Sequence, residues 1–382
     1  MKLQNAVIAD VVSKRAKALR MLPIFGVLVL CVFAMAIRPA CTRTEVSGSG
    51  DSMVRIRDEI RPIVSAGGDY PESVRAYFDH YGLGMGEGVR HRFGTFESGE
   101  WTLAGHVYTP GEYRETVILL HGYLNHCGQF RHLIRRLLDA GYAVAMYDMP
   151  GHGLSTGERA VIEDFSQYSD ALGDFLEVVR GLAHGPYDVI GFSTGGTVAI
   201  DWLLTRDAEV FRRVVLAGPL VRSPGWQSSR AGARFYSSFT DTVPRIARKN
   251  CSDPAYLKFN KYSDMLHCRN VSLRWLLALY EWNDRMADRG PSACGVKVIQ
   301  GTKDTTVSFK YNLAFIRRKF PAADVTLIEG GRHELFNEAE GLREKVLDAV
   351  VAYLGADESV ADEDAEDLED GRNGYATEGR TE

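Results

Sequence analysis

The chain has 382 residues, 45% of them hydrophobic and 25% charged. That is ordinary for a folded protein with a sizeable core and excludes a chain disordered throughout. The net charge of −5 is unevenly placed. Residues 357–382 hold eleven acidic residues and two arginines, a net of −9, which leaves about +4 for the rest. There is no basic stripe with interleaved aromatics, so nucleic acid is not an expected partner. The six cysteines form no C-x-x-C pair, and no metal-ligand spacing is present.

In chain order, residues 1–20 form a basic segment with Lys14, Arg15, Lys17 and Arg20. Residues 21–37 follow as an uncharged, mostly apolar run. A basic flank before an apolar run reads as a signal anchor first, a cleaved signal peptide second and a lipoprotein signal third. The expected location is then the membrane, with the domain that follows on the extracytoplasmic side, or a secreted or periplasmic protein after cleavage. Residues 38–70 read as a linker with a Ser/Gly stretch. A core is expected over 71–220 and 291–355, interrupted by an insertion over 221–290. The acidic tail, 356–382, lacks apolar periodicity and reads as disordered.

Residues 89–95 and 101–108 alternate as strands around Ser98-Gly99 and predict a hairpin. Strands and helices alternate after that, which predicts a mostly parallel sheet with helices on both faces. Strands are expected at 116–120, 187–190, 296–300 and 325–328. Helices are expected at 130–140, 165–182, 196–204 and 342–354. Between 221 and 290 the rhythm stops. That segment is rich in aromatics, among them Trp226, Phe239, Tyr256, Trp275 and Trp282. It is too long for a simple connection and is expected to form a helical cap. Cys251 and Cys268 share it and are a candidate disulfide if the domain is exported.

Gly191-Phe192-Ser193-Thr194-Gly195 spells G-x-S-x-G between a predicted strand and a predicted helix. A serine there sits on a sharp turn with its hydroxyl outward and free helix N–H groups beside it. Asp304 follows the strand at 296–300, and His333 follows the strand at 325–328. The order Ser193, Asp304, His333 is that of an α/β-hydrolase. Serine needs a neutral imidazole to take its proton, and the imidazole needs a carboxylate to hold its tautomer. Asp324 is a rival acid, but it precedes its strand and so belongs at the other end of the sheet. The N–H groups of Thr194 and Tyr123 are the candidate oxyanion donors. His121 and His126 are expected to pin the loop that carries Tyr123.

Four segments carry a family resemblance: HGYLNHCGQF from His121, DMPGHGLSTGER from Asp148, GFSTGG from Gly191, and the pair GTKDTTV and GGRHELFNE from Gly301 and Gly330. They resemble the monoacylglycerol lipase and lysophospholipase group of α/β-hydrolases, sometimes grouped with the serine aminopeptidases. The resemblance spans residues 89–354. It implies a Ser193-Asp304-His333 triad, an oxyanion donor after His121-Gly122 and a cap inserted before the acid. Pro150, Thr194 and Tyr123 depart from the residues common in the group.

The expectation is a serine hydrolase of carboxylic esters, with lipid acyl esters such as monoacylglycerols or lysophospholipids as substrates. It needs no metal or organic cofactor. A peptidase on the same scaffold is the alternative. It would need cap carboxylates for a substrate amine, with Asp241, Glu281 and Asp284 available. A non-catalytic binding protein on a hydrolase scaffold is a further alternative.

Overall fold

The computed structural model describes residues 55–246 and 248–356. The basic segment, the apolar run 21–37 and the tail from 357 lie outside the described residues. Among the described residues no helix is long and apolar enough to cross a membrane.

An eight-stranded sheet forms the frame. β1 (Val89–Ser98) and β2 (Trp101–Pro110) make the expected hairpin, longer than its sequence pattern suggested. β2 pairs antiparallel with β4 (Ala143–Tyr147). Parallel pairing then runs through β3 (Thr116–Leu120), β5 (Tyr187–Phe192), β6 (Phe211–Ala217), β9 (Val296–Gly301) and β10 (Asp324–Ile328). Every residue of β3 and β4 is buried, as a sheet covered on both faces requires.

The register brings the strand ends level. Leu120 pairs with Gly191, Phe192 with Ala217, Ala217 with Ile299, and Gly301 with Ile328. The loops that follow these strands therefore open at one edge of the sheet, where open α/β sheets collect functional groups.

One face is covered by α3 (Ser166–Arg180), α4 (Thr194–Thr205) and α8 (Phe309–Lys319), with Phe175, Trp202 and Phe315 in the core. The other face carries α1 (Glu72–Tyr81), α2 (Arg131–Asp139) and α9 (Glu340–Leu354), with Tyr77, Leu133 and Val350. In α2 the buried set is Leu133, Ile134 and Leu137, one face of a helix whose other positions are polar or charged apart from Leu138.

The structure corrects three expectations. The stretch read as a linker is docked from residue 55 onward. Ile63 is fully buried, its N–H donates to Thr95 O at 2.9 Å, and Arg57 donates to Leu154 O and Ser155 O. Its isolated apolar residues reach the hairpin side of the sheet, which a composition reading cannot see. The insertion is also not wholly helical. α5 (Trp226–Tyr236), α6 (Pro254–Tyr262) and α7 (Leu273–Asp288) are joined by a short antiparallel pair, β7 (Thr242–Pro244) and β8 (Asn270–Ser272). Finally, Cys251 and Cys268 are separate free thiols. Cys251 Sγ donates to Asn337 O at 3.0 Å, whereas Cys268 packs against Leu124 and Ala160, so the two face different loops.

Candidate active site

Ser193 joins the end of β5 to the start of α4 with φ 52° and ψ −110°. A non-glycine residue there is strained by about 1–3 kcal/mol. The turn holds because its neighbours leave no alternative. Ser193 N–H donates to Ala217 O at 3.0 Å, and Ser193 O accepts from Leu220 N–H at 3.0 Å. Gly195 lies against the end of β3; a Cβ on it would stand 2.1 Å from Leu120 O. Only a missing side chain lets the helix start that close to the sheet.

Asp304 lies in the loop after β9. Its Oδ1 accepts from Thr306 N–H at 2.8 Å and Val307 N–H at 3.2 Å, and its Oδ2 accepts from Gln300 Nε2 at 3.1 Å. His333 lies in the loop after β10, where its own N–H and that of Glu334 donate to Asn250 O at 3.0 and 2.9 Å. The structure brings all three residues into one line. His333 Nδ1 is 2.8 Å from Asp304 Oδ2, and His333 Nε2 is 3.0 Å from Ser193 Oγ. Asp304 is a carboxylate, so the proton belongs on Nδ1 and the Nε2 lone pair faces the serine.

Burial alone depresses the His333 pKa. The charge and hydrogen bond of Asp304 outweigh burial and leave the pKa above the ordinary histidine value. Burial raises Asp304, but His333 and the donors around its carboxylate bring it below the ordinary value. Asp324 begins β10 at the opposite end, exposed and paired with Lys297.

The loop after β3 comes alongside the elbow. A Cβ on Gly122 would lie 3.2 Å from Ser193 Cβ. His121 Nδ1–H donates to Gly122 O at 2.8 Å, and its Nε2 accepts from Met149 N–H at 2.9 Å. In its neutral form His126 accepts from Gly128 N–H through Nδ1, and its Nε2 lies 3.0 Å from Asp264 of the insertion. Both histidines are buried and hold the loop. Tyr123 spans to the insertion: its hydroxyl donates to Ala160 O and accepts from Ser272 N–H, and its ring stacks on Trp275 at 3.6 Å. Thr194 is the first residue of α4, so its N–H has no partner within the helix.

A cavity of about 300 Å³ opens above Ser193 and His333. Trp275, Leu276 and Leu279 of α7 supply apolar wall, and Arg245, Arg248 and Glu334 also line it. Sequence reasoning assigned nothing to these three. Glu334 had a signal, since it follows His333 directly. The two arginines had none, because the fold of the insertion alone brings them to the cavity. Asp148 was also missed. Buried beneath the loops, it accepts from Cys127 N–H and Leu154 N–H at 2.7 Å each.

A parallel sheet with an antiparallel edge, a serine on a strained strand-to-helix turn, and a histidine and an aspartate from later loops define an α/β-hydrolase. The chain belongs to the family described as serine aminopeptidase, S33, whose model matches residues 111–340. It is similar to the monoacylglycerol lipase of Mycolicibacterium smegmatis, 28% identical over 261 residues, 65% of this chain and 91% of that protein. The monoglyceride lipase of Rattus norvegicus is 24% identical over 267 residues, 67% of this chain and 87% of that one. Among solved structures, a soluble variant of monoglyceride lipase from Saccharomyces cerevisiae superposes with a TM-score of 0.61 at 18% identity, over 68% of this chain and 94% of that one. That likeness is one of fold.

Proposed function

We propose that this serine ester hydrolase cleaves lipid acyl esters, monoacylglycerols or lysophospholipids, through a covalent acyl-enzyme on Ser193. The observation that carries the reading is the hydrogen-bonded line Ser193–His333–Asp304 at the floor of a largely apolar cavity. His333 Nε2 takes the serine proton as Oγ attacks the ester carbonyl. The N–H groups of Thr194 and Tyr123 receive the oxyanion. The alcohol leaves with the proton held on Nε2. Water, deprotonated by the same nitrogen, then releases the fatty acid and restores the serine. Asp304 stays ionised throughout and holds the imidazole in place.

The peptidase alternative needs carboxylates at the cavity for a substrate amine. Asp241, Glu281 and Asp284 do not line it; Asp284 is paired with Arg230. Glu334 does line it, but is engaged by Asn250 and Tyr256. A panel of p-nitrophenyl esters of increasing chain length, assayed beside an aminoacyl p-nitroanilide, tests the reading. Ester turnover is expected to exceed amide turnover by orders of magnitude, and the reverse order would refute it.

We further propose that residues 21–37 attach the enzyme to a membrane. The full chain is expected to sediment with membranes and a chain starting near residue 52 to stay in the supernatant. Full-length protein that stays soluble with its N-terminus intact would overturn this.

A further inference from the structure

The cavity above Ser193 carries a charge pattern that ester cleavage itself does not use. Arg245 and Arg248 line it from the stretch after β7. Three arginines of the insertion are paired, Arg230 with Asp284, Arg274 with Glu158 and Glu163, and Arg285 with Asp164, but none of these three lines the cavity. Among the described residues Arg245 and Arg248 make no such pair. Each is held instead by a neutral acceptor. Arg248 Nη1 donates to Thr305 O at 2.7 Å, and Arg245 Nη1 lies 3.4 Å from His267 Nε2. Burial, together with Arg245, pushes the His267 pKa down to about 4, so that ring stays neutral.

Glu334 is the one carboxylate among the residues lining the cavity, and its oxygens are already taken by Asn250 Nδ2 at 3.0 Å and Tyr256 Oη at 3.2 Å. Arg245 feels the Glu334 charge, but among the described residues neither guanidinium makes a direct ion pair, and each keeps N–H donors to spare. Arg245 is half-buried and Arg248 exposed, and the planar guanidinium fork matches a phosphate or carboxylate. The apolar wall from α7 suits an acyl chain and would exclude an anion.

We propose that Arg245 and Arg248 bind an anionic group on the alcohol portion of the ester. The preferred substrate class is then a monoacyl ester whose alcohol carries a phosphomonoester or a carboxylate. This rests on the ester-hydrolase reading above and narrows it.

The test uses the full chain and four esters. 1-Octanoylglycerol and 1-octanoylglycerol 3-phosphate differ only in the anion on the alcohol. p-Nitrophenyl octanoate reports ester cleavage alone, and mono-p-nitrophenyl adipate places the anion on the acyl side. The expected kcat/KM for the phosphate exceeds that for the neutral glyceride by about tenfold or more, chiefly through KM. Added salt should shrink that ratio. The double variant R245Q/R248Q should bring the ratio near one, and R245K/R248K should restore part of it. A wild-type ratio near one, or the same ratio in wild type and R245Q/R248Q, overturns the proposal. So does a preference for the adipate ester over p-nitrophenyl octanoate without one for the phosphate. The wild-type ratio carries the test even where the glutamine variant does not fold. Octanoate cleavage with a ratio near one sinks this proposal alone, whereas failure to cleave any of the four esters sinks the hydrolase reading as well.

Discussion

The elbow at Ser193 and the insertion between β6 and β9 meet at one cavity but hold their residues differently. At the elbow the constraint is backbone. The serine sits at a positive φ, with Gly195 pressed against Leu120 O and strand ends level on either side. In the insertion the constraint is buried polar side chains. Asp264 is held by His126, Gln129 and the Tyr81 hydroxyl, all from outside the insertion. Tyr256 bridges Gln129 to Glu334, and Asn250 carries the His333 loop on its carbonyl. A backbone constraint leaves a short local pattern in the sequence. This polar network leaves scattered residues whose partners lie from 78 to 183 positions away.

If this contrast is right, damage at the floor should appear in turnover and damage in the insertion should appear in stability. The largest expected effect is on turnover. His333→Ala should lower kcat by about 10⁴-fold or more with an unchanged melting curve. Initial rates on one p-nitrophenyl ester and a thermal melt check both halves. A small rate loss would remove His333 from the chemistry.

Asp304→Asn should cost somewhat less and should also move the pH profile. His333 is active when neutral, and its pKa lies above the ordinary ~6.5 because Asp304 outweighs burial. In the wild type kcat/KM should therefore rise with pH through a midpoint above that value and then level. Without the carboxylate burial dominates, with smaller opposing effects of Glu334 and Arg245, so the acid limb should shift to lower pH while the plateau falls. A limb that stays put would mean that Asp304 does not set the imidazole's charge.

Asp264→Asn should act mainly on stability. It breaks a buried charge pair, at a cost of about 3–5 kcal/mol. Burial works against both charges, but their mutual attraction leaves His126 above and Asp264 below their ordinary values. The histidine's share is full below ~6.5 and fades as pH rises through its raised pKa. The aspartate's share is present above ~3.9 and fades as pH falls through its lowered pKa. The melting-temperature gap between wild type and variant should thus be widest near pH ~5–6 and narrower at pH ~8. A gap that widens towards alkaline pH would contradict this.

The smallest effect is expected at Asp324. Asp324→Asn removes an exposed pair with Lys297 at the far end of the sheet and should change rate and stability by at most about 1 kcal/mol. A large rate loss there would exchange the two aspartates' roles.

The same contrast explains what the sequence disclosed. G-x-S-x-G, the strand before Asp304 and the strand before His333 are each contiguous, so the sheet and the three-residue line were legible. So was the pinning of the loop after β3 by His121 and His126, although the partner of His126, Asp264, was not. The missed features depend on distant packing. Ile63 docks on the hairpin, β7 and β8 pair across a helix, and Cys251 and Cys268 turn to different loops. Arg245 and Arg248 reach the cavity only once the insertion has folded.

The central claim, that Ser193 is the nucleophile, is tested most directly by a fluorophosphonate probe and peptide mass mapping of the labelled chain. One adduct is expected, on the peptide carrying Ser193, absent in Ser193→Ala and slow to form below the His333 pKa. An adduct on another residue, or ester hydrolysis that survives in Ser193→Ala, would contradict it.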